Sequence, residues 1–100
     1  MLAISGYLSY APENRDFVLE GLRAIATRSR EDPGCVEYWW AEDVEVENRF
    51  RFFECWETDA DFDAHSEAPY EKAFMADYVS RIAGAEAIVY EVSSRGPAVG

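Results

Sequence analysis

The stretch DPGCVEYWWAEDVEVENRFRFFECW, from Asp32 to Trp56, decides the fold. It opens on a turn and continues into two strand-like runs whose aromatic residues occupy both sides. Successive side chains of a strand leave on opposite faces. Tyr38 and Trp40 therefore point one way and Trp39 the other, while Phe52 and Trp56 oppose Phe53. A sheet that is wet on one face reads apolar then polar along each strand. This one reads apolar on both sides, so both faces need cover. A chain of 100 residues covers one face with its own helices. The second cover comes most simply from another copy, which predicts a homodimer around an enclosed aromatic space.

Working outward, Asp32, Pro33 and Gly34 supply a turn, with proline preset at its second position and glycine free to take positive φ at its third. Strands are expected over Cys35 to Glu42 and Arg49 to Glu57, joined as a hairpin by the acidic link from Asp43 to Asn48. Leu2 to Tyr10 alternates loosely and reads as a first strand, which Pro12 ends. From Glu13 to Ser29, Val18, Leu22 and Ile25 recur at helical spacing, with charged residues on the other side. Gly21 inside that helix costs about 1 kcal/mol relative to alanine, and a close approach of helix to sheet is the expected reason. Thr58 and Asp61 form a capping signal for a short helix carrying Phe62 and His65, and Pro69 starts another. There Tyr70, Phe74, Tyr78 and Ile82 recur every fourth residue with Met75 and Val79 beside them, and Gly84 reads as the C-terminal cap. Glu86 to Ser93 alternates as the last strand.

The order strand, helix, strand, strand, helix, strand fits an α+β class, the ferredoxin-like split βαββαβ sandwich with both helical segments on one face of a four-stranded antiparallel sheet. Two such sheets stacked on their bare faces make a dimeric α+β barrel. Residues 1–94 read as one domain and residues 95–100 as a disordered C-terminal tail.

Composition narrows the functions. Nine basic residues face 20 acidic ones, for a net charge of −11. Such a chain repels phosphate backbones and anionic lipid surfaces, so neither nucleic acid nor membrane is an expected partner. No apolar run approaches the ~20 residues of a spanning helix, and the N-terminus shows no basic segment followed by an apolar one. The expected location is cytoplasmic. In a reducing compartment Cys35 and Cys55 read as small core residues rather than a disulfide. With one histidine and two cysteines twenty positions apart there is no closed zinc set. Phosphate-cradling loops, dinucleotide fingerprints and nucleophile elbows are also missing from the sequence. An oxidoreductase built this way must draw its electrons from the substrate, since cofactors normally supply that capacity.

Two residues stand out as candidates for chemistry. His65 is the one side chain here whose ordinary pKa lets it exchange protons near neutrality. Trp56 ends the third strand just before the helix that carries His65, so both can border one space between helix and sheet. A lone helical histidine is more often structural than functional, and a strand tryptophan is more often core than ligand contact. Glu54 shares the face of Trp56. Its carboxylate is either paired with an arginine, the favoured reading, or raised in pKa by burial, which suits acid or base work.

The segments SREDPGCVEYWW (Ser29 to Trp40), RFFECWET (Arg51 to Thr58) and AHSEAPYEKAF (Ala64 to Phe74) resemble the antibiotic biosynthesis monooxygenase family, in its small quinol-monooxygenase-like branch. The resemblance extends from about Ile4 to Val92. It implies a dimeric ferredoxin-like barrel and cofactor-independent oxygenation, by O₂, of an electron-rich phenol, quinol or anthrone. It also implies catalytic roles for His65, as base or oxygen-holding group, and for Trp56, stacking on the substrate or hydrogen-bonding it. Tyr38, Phe52, Phe62 and Phe74 would line the substrate space, with no cofactor and no metal. Oxygenases of this group place an asparagine and a tyrosine where Phe52 and Phe62 stand here, a departure that equally suits a non-catalytic or isomerase-like ligand-binding dimer. The haem-degrading branch resembles the chain less well. Its strand-one asparagine and last-helix histidine correspond to Ser5 or Gly6 and to a helix without histidine between Tyr70 and Ile82.

Overall fold

The structure, a computed structural model, describes residues 1–99, and at residue 79 the backbone alone. Its elements are β1 (Leu2–Tyr10), α1 (Arg15–Ser29), β2 (Cys35–Glu42), β3 (Arg49–Trp56), α2 (Asp59–Glu67), α3 (Pro69–Tyr78) and β4 (Ile82–Glu91). The strands form one antiparallel sheet in the order β2-β3-β1-β4. This is the α+β ferredoxin-like arrangement the element order predicts. Thr58 caps α2 by accepting from the Asp61 amide at 3.1 Å. Ala68, held extended before Pro69, separates α2 from α3. Gly34 takes φ 80° at the third position of the turn that delivers the chain into β2, and the Cys35 amide donates to the Asp32 carbonyl at 3.2 Å.

Register fixes which side chains meet. Ile4 pairs with Glu54 and Val89, and Glu54 pairs with Tyr38, so these four form one row across the sheet. The next row on the same side is Trp40, Phe52, Gly6 and Ala87. The helices pack on this side. Leu2, Ile4, Leu8 and Tyr10 of β1 bury against Val18, Leu22 and Ile25 of α1, and Tyr10 stacks on Phe50 at 5.1 Å. Removing such side chains from water, at roughly 1.5–3 kcal/mol each, is what holds α1 to the sheet.

Three local expectations are corrected. The helix does not run on to Ile82; α3 ends at Tyr78, a 3₁₀ turn covers Val79–Arg81, and β4 begins at Ile82. The four-residue spacing is real, but Ile82 meets the core as a strand residue paired with Tyr10, and the tighter 3₁₀ turn brings it there. Gly84 accordingly is no helix cap. It lies in β4 opposite Ser9. Gly21 does permit a close approach, but to another helix: a Cβ there would run into the ring and hydroxyl of Tyr78 from α3, not into the sheet.

The opposite face of the sheet carries no helix. On it Trp39 stacks over Phe53 at 6.0 Å and its indole N–H donates to Glu37 at 2.9 Å. Ile88 is 47% and Tyr90 51% exposed. In the other half of this face the Arg49 guanidinium sits 3.7 Å over the Tyr7 ring with Arg51 close by, and Glu86 of β4 lies opposite Tyr7. Cys35 is half-buried and Cys55 buried, both as free thiols. Among the described residues no helix is long and apolar enough to cross a membrane. Beyond β4 no helix or strand forms through residue 99. The side chain of Val79, expected beside Met75, and residue 100 of the expected tail lie outside the described residues.

Candidate functional site

Between the helix-bearing side of the sheet, α3 and the start of β4 lies a cavity of about 260 Å³. Tyr38, Trp40 and Phe52 form its sheet wall, and Phe74, Met75 and Ile82 form the wall opposite. Trp40 and Phe52, cross-strand partners, hold their rings 4.7 Å apart. The Trp40 indole donates to the Tyr38 hydroxyl at 3.1 Å, which leaves the wall aromatic but its polar atoms matched. Gly6 belongs to this row for a steric reason. A Cβ there would strike the Glu86 carbonyl and the Ala87 Cα, so the glycine lets the β4 backbone come close beside the cavity.

Three glutamates interrupt the apolar lining; Glu86 of β4 is exposed, and the other two are withdrawn from solvent. Glu54 comes from β3 and Glu71 from α3. Glu54 is 8% exposed and accepts from the Trp56 indole N–H at 2.9 Å. The favoured arginine pairing is therefore corrected: among the described residues no arginine or lysine pairs with Glu54, and its hydrogen-bond donor is the Trp56 indole on the same strand face. Burial pushes the Glu54 carboxyl up, by more than the Trp56 hydrogen bond and the nearby His65 pull it down. Burial also raises Glu71, with Glu54 and Asp32 adding to the effect and His65 opposing it. Glu71 Oε2 is shut off from solvent and, among the described residues, has no hydrogen-bond partner. Glu71 is not among the residues singled out from sequence. Its signal was available, since it stands three residues before Phe74 and four before Met75, on the same face of the helix.

Behind the cavity lies a polar core centred on His65, which is 4% exposed. The His65 Nδ1 is 3.0 Å from Asp32 Oδ2 and 2.9 Å from the Tyr70 hydroxyl, and its Nε2 is 3.6 Å from Glu71 Oε2. Tyr70 donates to the same Asp32 oxygen, and Arg28 binds the other at 2.7 Å. Burial alone would raise the Asp32 carboxyl, but Tyr70, His65 and Arg28 together hold it below its usual range. Trp56, fully buried, packs on the imidazole with ring centres 4.6 Å apart, and Phe62 lies 6.4 Å from Trp56. Of the residues singled out from sequence, Tyr38, Phe52 and Phe74 line the cavity. His65, Trp56 and Phe62 cluster together one layer behind it, and reach it through Glu71 and Glu54. Asp32 was read only as a turn residue; nothing local in the sequence reveals that the turn aims its carboxylate at a histidine 33 positions away.

Comparison with known proteins accords with the fold. Residues 1–77 match the model of the antibiotic biosynthesis monooxygenase family, and the chain belongs to that family. It is 28% identical over 93 residues to the uncharacterized protein sll1783 of Synechocystis, covering 92% of this chain and 63% of that relative, so it spans under two thirds of that protein's length. Over 76 residues it is 29% identical to a Bacillus subtilis protein named "Putative monooxygenase YcnE", covering 76% of this chain and 80% of that one. A Deinococcus radiodurans crystal structure, described as a "putative antibiotic biosynthesis monooxygenase", superposes with a TM-score of 0.92 over the whole of both chains at 22% identity, a likeness of fold.

Proposed function

We propose that the protein is a monooxygenase that oxidises a small electron-rich aromatic, a quinol or anthrone-like phenol, with O₂ and without a cofactor. The observation that carries this reading is the cavity: an aromatic-walled space of about 260 Å³ lined by one buried glutamate, Glu54, and one half-buried, Glu71, in a chain of this family. Pockets for drug-sized molecules run to roughly 300–1,000 Å³, so of the two substrate types a quinol of one or two rings suits this volume better than the three-ring anthrone. Such a substrate becomes readily oxidisable once it loses a proton. Its anion passes an electron to O₂ and recombines with the superoxide at a ring carbon, and loss of water leaves a carbonyl there. One oxygen atom enters the product and the other leaves as water, with all electrons drawn from the substrate. The protein's part is to hold the flat ring between Trp40, Phe52 and Phe74, accept a proton, and keep bulk water from the radical pair.

The helix-free face supports a homodimer as the working form. Trp39, Phe53, Ile88 and Tyr90 share that face, and pairing it with a second copy would cover the apolar half that α1–α3 leave bare. Sedimentation at micromolar concentration is expected to give twice 11.4 kDa; a species of 11.4 kDa sinks the dimer.

Oxygen uptake with 1,4-naphthohydroquinone and with anthrone tests the activity. Wild type is expected to exceed the protein-free rate for at least one of them, and rates equal to background with both remove the catalytic claim. Phe52 favours a second reading, a dimer that binds an aromatic metabolite without oxidising it, because a phenylalanine in the cavity wall offers no polar contact to an oxygenated intermediate. Tight binding without oxygen consumption is its signature.

A further inference from the structure

The proton that leaves the substrate needs an acceptor that touches the cavity and a path away from it. His65 does not line the cavity; Glu71 does, and it stands between the two. Among the described residues its Oε2 has no hydrogen-bond partner, and it lies 3.6 Å from His65 Nε2, a gap that a small rotation of the carboxyl closes. On the far side of the ring, Nδ1 is 3.0 Å from Asp32 Oδ2. Asp32 in turn sits at the surface end of the line, 11% exposed and bound to the half-exposed Arg28. Once that gap closes, the contacts run from the cavity wall to the surface.

We propose that Glu71 is the group that takes the phenolic proton, and that His65, with Asp32 behind it as a positioning residue, holds that proton until water leaves. This rests on the oxygenase reading for its substrate, but the acceptor assignment concerns any phenol in the cavity. In the first step the phenol O–H bond breaks and a proton joins the Glu71 carboxylate, leaving a phenolate. Glu71 then passes that proton to His65 Nε2, forming an imidazolium that faces the Asp32 carboxylate, and when the peroxide loses water the proton returns through Glu71 to the departing oxygen, so that Glu71 is again a carboxylate and His65 keeps its Nδ1 proton.

The neighbouring carboxyl is the less suited of the two. Glu54 already accepts the Trp56 N–H, which stabilises its charged form and weakens it as a base, whereas Glu71 Oε2 has no such donor among the described residues. The ionisable groups around Glu71 are Glu54 from β3, His65 from α2, Asp32 from the turn before β2 and Tyr38 from β2, with Tyr7 of β1 and Glu86 of β4 lining the same cavity. The carboxylates oppose a negative charge on Glu71 and the histidine favours it. The acceptor state of Glu71 is therefore coupled to the ring that drains it.

2-Naphthol tests the assignment without any oxidation. Excited beyond tryptophan absorption, it is a strong acid, and its naphtholate emission reports whether a proton acceptor touches the bound hydroxyl. Wild type is expected to show naphtholate emission from bound probe, Glu71→Gln to lose most of it, and Glu54→Gln to retain it. In turnover with a substrate that passes the oxygen-uptake test, Glu71→Gln is expected to lower kcat/KM by about 100-fold. His65→Gln should move the acid limb of the pH profile upward, since the group that favours the Glu71 charge is gone; a merely structural loss would lower the rate without moving that limb. Unchanged naphtholate emission in Glu71→Gln, or failure of wild type to bind 2-naphthol, overturns the proposal whatever the oxygen electrode reads. Naphtholate emission that depends on Glu71 in a protein that consumes no oxygen upholds the acceptor and removes only the oxygenase reading.

Discussion

The indole N–H of Trp56 donates to Glu54 at 2.9 Å, with the tryptophan fully buried and the glutamate nearly so. The two residues are one turn of the pleat apart on the same face of β3, so the strand itself sets the contact. A tryptophan that looks from sequence like a substrate platform thus holds a cavity carboxylate from behind. Its substitution acts on the site through Glu54.

Trp56→Phe keeps most of the apolar volume and removes the donor. Leaving a buried carboxylate oxygen unpaired costs about 1–3 kcal/mol, and urea unfolding at pH 7 should show a loss of that size. The loss should shrink near pH 4, where a protonated Glu54 has less need of the N–H. A pH-independent loss would assign the effect to packing alone.

Glu54→Gln separates charge from shape, because the amide oxygen can still accept from Trp56. The folded-state pKa of Glu54 lies above the usual glutamate value. Its contribution to stability is therefore full below the unfolded pKa and is lost as pH rises through the folded one. The variant is expected to equal or trail wild type at pH 4 and to exceed it at pH 8. Parallel unfolding curves at the two pH values would contradict this sign.

Asp32 runs the other way. Its folded-state pKa is depressed, so its stabilisation is present above the unfolded pKa and disappears as pH falls through the folded one. Asp32→Asn weakens charge-assisted contacts with Arg28, Tyr70 and His65, at about 1.5–3 kcal/mol for a hydrogen bond to a charged group. Denaturation midpoints at neutral pH should fall accordingly and converge with wild type in acid. A ¹⁵N spectrum of the His65 ring should change with the substitution, since Asp32 is what Nδ1 faces.

Gly21→Ala should destabilise, although alanine is the better helix former by about 1 kcal/mol. The added methyl meets the Tyr78 ring, and overpacking of this kind costs about 1–3 kcal/mol. Pairing it with Tyr78→Leu should recover part of the loss in a double-mutant cycle. Simple additivity would mean that the helices do not meet at this point.

Strand alternation in β2 and β3, the Pro33 and Gly34 turn, the Thr58 cap and the Pro69 break are local features, and each fixes the conformation of its own few residues wherever they sit. That is why the α+β order, the sheet-facing side of Tyr38, Phe52 and Glu54, and the membership of Phe74 in an apolar helix face could be read from the chain alone. The end of α3 could not, because Ile82 satisfies a helical period and a strand position equally until β1 offers Tyr10 as its partner. Nor could the site's inner layer. Asp32, His65 and Glu71 come from a turn and two helices, and what joins them is the angle at which those elements pack on the sheet. Burial, which raises Glu54 and Glu71 and leaves Oε2 of Glu71 without a partner among the described residues, is a property of neighbours distant in sequence; only the folded chain decides which carboxyls lose their water.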